Sequence, residues 1–203
     1  MVPEFFLETA VKGAAKLLPP VMDSPEASAM ILAICLQESK LEFRRQVGGP
    51  ARGFFQFERG GGVTGIFNHP ASSTHIKMVC AAVNVTPTIA GIYDALDQND
   101  ILAASAARLL LWTLPQALPL RGDAEGGWQQ YIQAWRPGRP RRETWDAHFN
   151  HAWAVVEDAR RNEMLSADMV AVKNAAVMFI AGYEQLQGSV KAMVAHQSPT
   201  AVA

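Results

Sequence analysis

Glu38 closes an apolar stretch that begins near Pro25, and Gln56 follows eighteen residues later in the run Gly49-Pro50-Ala51-Arg52-Gly53-Phe54-Phe55-Gln56. On a helix, Ala27, Ile31 and Ile34 share one stripe and Glu38 falls within it, which directs the carboxyl along the buried face. A carboxylic acid withdrawn from water favours its neutral form, and its pKa rises by roughly one to several units. A general acid working near neutral pH needs this property. In the competing reading the helix frays before Glu38, and the carboxylate reaches solvent or caps a neighbouring amide. Gln56 carries a donor and an acceptor in one side chain, matched to the hydroxyl and N-acetyl groups of a sugar. Phe54, Phe55 and Phe57 add flat apolar faces, and the flanking glycines allow close approach. Without chemistry, the same run reads as a buried edge strand with a surface glutamine.

The elements that must position these groups are mostly helical. Ser24-Pro25-Glu26 is a strong helix start, combining a capping hydroxyl, proline at the first position and an early acid. After Gly48-Gly49-Pro50, the aromatic residues from Gly53 to Glu58 suggest a strand or extended edge that ends at Gly60-Gly61-Gly62. Further helices are expected over residues 99–114, with Pro115 as the stop, and over 126–135 and 143–160. Across residues 163–194, Leu165, Met169, Val172, Ala176, Phe179, Ile180, Tyr183 and Val190 form one stripe. Packing of that stripe on the core is the first expectation, ahead of docking to another protein or lying on a membrane surface. Residues 197–203 are expected to fray.

With 203 residues, 49% of them hydrophobic, the chain can bury one substantial core and a helical appendage. A formal net charge of −1 argues against a surface adapted as a whole to nucleic acid or acidic lipid. Cys35 and Cys80 read as buried free thiols. The first twenty residues lack the basic start and continuous apolar centre of a secretory signal. Lys173 and Asn174 interrupt the most apolar stretch, so no transmembrane segment is expected.

Other constellations carry weaker signals. His148 and His151 share a helix face but lack the remaining ligands of a zinc site. His69 and His75 read as loop histidines that can reach a cleft, and Asp94, Asp97 and Asp100 as helix-start or loop acids. Arg136, Arg139, Arg141 and Arg142, broken by Pro137, Gly138 and Pro140, form a rigid basic loop able to attract carboxylates or phosphates. The five tryptophans are expected in the core, with Trp128 or Trp135 as a possible sugar-stacking wall.

The pair Glu38-Ser39, followed by the run ending at Gln56, resembles the soluble lytic transglycosylase and goose-type lysozyme group. Its members carry Glu-Ser and then a Gly-Ala-x-Gly-Leu-Met-Gln-like motif at similar spacing. The Gly-Phe-Phe-Gln-Phe-Glu variant with its glycine run looks most like phage-encoded members. A weaker likeness to the late tyrosine motif covers Trp128 to Gly138, although Ile132 and Gln133 stand where an asparagine usually follows the tyrosine. The resemblance implies a mainly α, α+β lysozyme-like fold with a small β-like segment around residues 53–58 and a long C-terminal helix. Residues 1–22 would be an N-terminal amphipathic helix, 23–160 the catalytic domain and 161–203 the C-terminal helix and tail.

The activity implied is cleavage of the MurNAc–GlcNAc β-1,4 bond of peptidoglycan, with Glu38 as general acid and base and no metal or cofactor. Ser39, Phe55, Gln56 and Tyr131 would bind substrate or position the acid. Glu58 is the candidate second carboxylate of a hydrolytic version, and a solvent-facing ion pair is its ordinary role. The implied setting is synthesis in a host cytoplasm, followed by action on the cell wall as a virion component or a released endolysin. Other virion proteins would be partners of the C-terminal helix, and nucleic acid would not be one. A noncatalytic virion protein with the same fold is the alternative from a different class.

Overall fold

In a computed structural model of the chain, which describes residues 1–196, Ser24 caps the helix that carries Glu38. Its Oγ accepts from the Ala27 amide at 3.2 Å, and Pro25 occupies the first helical position, as the local sequence dictates. In chain order the helices are α1 (Pro3–Phe6), α2 (Lys12–Leu17), α3 (Pro25–Ser39), α4 (Thr64–Asn68), α5 (Ser73–Ala82), α6 (Ile89–Ala95), α7 (Asp100–Trp112), α8 (Ala124–Trp135) and α9 (Arg142–His196). A π-helical turn, Leu7–Val11, joins α1 to α2 in one run. The expectation for residues 197–203 lies outside the described residues.

The chain divides into two units, Met1–Asp158 and a second that begins at Ala159. Within the first, α3 and α7 are buried on nearly every side. Met30 to Leu36 are all at most 8% exposed, as are Leu102 to Leu111. The N-terminal run packs on α7 and α3, and Phe6, Leu7, Ala10 and Val11 lie in the core. The first turns of α9 complete the unit by burying Trp145, Phe149, Ala152 and Trp153. Cys35 and Cys80 are free and buried.

Three expectations change. No sheet forms among the described residues: the stretch around 53–58 is a tight turn with isolated bridges, Arg45↔Arg52 and Arg52↔Phe57. Alternating aromatics mimic a strand there because Phe54, Phe55 and Phe57 are all buried by a folded loop. Of the histidines read as loop residues, His75 lies within α5 and His69 directly follows α4, both helices too short for a clear sequence period. The stripe from Leu165 onward is exposed, so it is not core. By length and composition alone, Arg142–Met193 also contains a stretch long and apolar enough to cross a membrane, Lys173 notwithstanding.

Candidate active site

Glu38 lies in the last turn of α3, where Lys40 and Leu41 both adopt left-handed backbone with φ of 53° and 57° and reverse the chain. Ser39 shapes this reversal. Its buried Oγ donates to the Cys35 carbonyl at 3.2 Å and accepts from the Leu41 amide at 3.2 Å. Ser39, expected to bind substrate or position the acid, therefore braces the chain reversal after Glu38 and does not line the cleft.

The Tyr131 hydroxyl of α8 donates to Glu38 Oε1 at 2.7 Å. Tyr131 is held by stacking on Trp145, with ring centroids 5.1 Å apart and planes 12° from parallel. Burial pushes the Glu38 carboxyl up to about 7, against the opposing effects of the Tyr131 bond and the Arg141 charge. Burial, with the adjacent Glu38, pushes the Tyr131 phenol up, so it remains a donor.

A network on the other side of Glu38 fixes Arg141. Its guanidinium donates to the Gln37 carbonyl at 2.7 Å, and the buried Gln37 amide donates back to the Arg141 carbonyl at 2.9 Å. Gln37 Oε1 also accepts from Thr144 Oγ1 at 3.0 Å and meets His148 Nδ1 at 2.8 Å. Burial, then Arg141, pushes the His148 pKa down. Gln37 was not anticipated as part of the site; its signal is a lone polar residue in the apolar run just before Glu38.

The loop carrying Gln56 is anchored by charge. Arg44 pairs with Asp100 through both guanidinium nitrogens, Arg45 with Asp97, and Arg52 with Asp94 at 2.8 Å. The three aspartates are thus engaged as anchors for the loop. Gly53 has φ of +70°, and a Cβ there would lie 2.6 Å from the Leu96 carbonyl oxygen, so this close turn requires glycine. Gln56 also has positive φ, 48°. Its Nε2 donates to the carbonyls of Gly53 at 2.8 Å and Phe43 at 3.4 Å, which leaves Oε1 as the group available to a ligand donor.

A cavity of about 1010 Å³ opens over these groups, lined by Glu38, Gln56, Phe57, Glu58, the three glycines Gly60, Gly61 and Gly62, His69, Trp135, Arg136 and Arg139, among others. Trp135 joins the two sides: its Nε1 donates to the Phe55 carbonyl at 3.0 Å, and its ring packs on Phe57 at 5.5 Å. Gly62 lets the glycine run close on Phe57, since a Cβ would lie 2.5 Å from that ring.

The structure therefore brings Glu38, Gln56 and Glu58 to one cavity and Tyr131 to Glu38 itself. Phe55 is corrected. It is fully buried against Phe6 and Phe57, so only its carbonyl contributes, through Trp135. Of the tryptophans, Trp135 lines the cavity and Trp128 is buried. Arg136 and Arg139 reach the rim, whereas Arg142 pairs with Glu125 and Asp146. Among the described residues, no group of three or more His, Cys, Asp or Glu side chains is placed to hold a metal ion.

Compared with protein-family models, curated proteins and solved structures, the chain matches none.

Proposed function

We propose that this protein cleaves the MurNAc–GlcNAc β-1,4 bond of bacterial peptidoglycan as a lytic transglycosylase, with a lysozyme-like catalytic unit. The observation that carries the reading is a carboxyl raised to about 7 on the wall of a large cleft, beside a glutamine and a tryptophan. Such a group is protonated often enough at neutral pH to give a proton, and basic enough afterwards to take one back. Glu38 protonates the glycosidic oxygen and the bond to the anomeric carbon breaks. The resulting carboxylate removes the proton of the muramyl 6-hydroxyl as that oxygen attacks the same carbon. The products are a free 4-hydroxyl and a 1,6-anhydromuramyl end, so Glu38 is regenerated and no second carboxylate is consumed. Gln56 Oε1 accepts from a sugar N–H or hydroxyl, Trp135 stacks on a sugar face, and Arg136 and Arg139 attract stem-peptide carboxylates.

A hydrolytic reading is favoured by one observation, the presence of Glu58 on the wall of the same cavity. There Glu58 would activate water, and the product would be a reducing sugar end. In either version the setting is a phage particle or a released lysin acting on the cell wall. Mass spectrometry of muropeptides after digestion of purified walls separates the readings. Loss of water at the muramyl end is expected, and a reducing end would replace the transglycosylase reading by the hydrolytic one. Glu38→Gln is expected to abolish all cleavage with the fold intact; undiminished cleavage by that variant would exclude the reading.

A further inference from the structure

Residues Leu165, Met169, Val172, Ala176, Phe179, Tyr183, Leu186, Val190 and Met193 follow one another in alternating steps of four and three. That is the a/d spacing of a coiled-coil heptad, sustained over four repeats. Every one of these positions is exposed, and the large side chains among them range from 52% at Val190 to 77% at Phe179. The helix is continuous through the whole stretch, with no proline and no kink to break the register. A seam this regular has no folded partner within its own unit.

The charges identify the partner. Between residues 164 and 193 the charged side chains are Asp168, Lys173, Glu184 and Lys191, and none falls on the seam. With Met169 at a, Asp168 occupies g and Lys173 the e position of the following repeat. In a parallel, in-register pair of helices these positions face each other across the seam. The flanking pair of the repeat is thus complementary to a second copy of itself. Glu184 and Lys191 occupy b positions on the outer face, where Val170, Val177 and Met178 are exposed as well, and Ile180 flanks the seam at e. A membrane span accounts for this pattern less well, because Lys173 and Asn174 would enter the hydrocarbon and the heptad continues past Glu184 and Lys191 to Met193.

We propose that residues 165–193 form a parallel, in-register coiled coil with at least one further copy of this chain. This assembly stands independently of the reaction at Glu38. Sedimentation equilibrium of the full chain at micromolar concentrations tests it, with an integral multiple of the chain mass expected. Phe179→Glu, on the seam, weakens association at least tenfold, whereas Val177→Glu, on the outer b position, leaves it unchanged. Asp168→Lys alone weakens association, and Asp168→Lys combined with Lys173→Asp restores it. Tryptophan fluorescence confirms that the first unit folds in each variant, since all five tryptophans lie between residues 112 and 153, and far-ultraviolet circular dichroism reports whether the altered helix is retained. A monomer at tens of micromolar overturns the proposal, as does equal loss from the two glutamate variants or no recovery in the charge swap. Flotation of monomeric chain with phosphatidylcholine–phosphatidylglycerol vesicles also overturns it, and would assign the stretch to a lipid surface.

Discussion

Replacing Glu38 by glutamine should stabilise the first unit at alkaline pH and leave its stability nearly unchanged in acid. The Glu38 carboxyl is raised from 4.5 to about 7 by burial. Below about pH 4.5 it is protonated in folded and unfolded chains alike, and burial costs no ionisation energy. Between there and about pH 7 the unfolded chain has released the proton while the folded one retains it, so stability falls as pH rises. Above about pH 7 the folded protein carries a half-buried carboxylate. A carboxyl at about 7 instead of 4.5, at ~1.4 kcal/mol for each tenfold change, carries a penalty of about 3.5 kcal/mol. Glutamine retains an oxygen that can accept from Tyr131 and never ionises. Glu38→Gln should therefore gain up to about 3.5 kcal/mol at pH 8 and close to nothing at pH 4. Urea denaturation followed by tryptophan fluorescence reads this unit selectively, because all five tryptophans belong to it. A stability difference that does not change with pH, or one larger in acid, would refute the reasoning.

Tyr131→Phe removes the donor that favours the Glu38 carboxylate, so the Glu38 titration midpoint should move further upward. Carboxyl carbon NMR would follow it, and a static or downward midpoint contradicts the assigned bond. Gly53→Ala forces a side chain into left-handed backbone and against the Leu96 carbonyl, which should cost about 2 kcal/mol or more. A thermal midpoint within a degree of the parent would show that the loop does not hold this turn.

Local chemistry made much of the first unit legible. Ser24-Pro25, Asn99 and Pro115 delimit α3 and α7, because capping and proline geometry act within one turn and need no distant partner. The pairing of Glu38 with Gln56 as a candidate site rested on residue types together with the resemblance of the motifs that carry them. The stripe argument captured only part of the reason for the burial of Glu38. α3 is enclosed on nearly all sides, so its position at the centre of the unit raises the pKa, rather than one apolar face.

Tertiary structure alone decided which side chains reach which partners. Tyr131 stands ninety-three residues from Glu38 and Arg141 one hundred and four from Gln37, separations at which periodicity carries no information. Phe54 and Phe55 looked like a sugar platform but face Phe6, because the charged anchors Arg44, Arg45 and Arg52 fold their loop inward. The C-terminal stripe shows the same division. Its spacing was present in the sequence, but a regular apolar seam has the same pattern against a core as against a second helix. Only the fold, by leaving Leu165 to Met193 exposed, shows that this stripe is not part of a core.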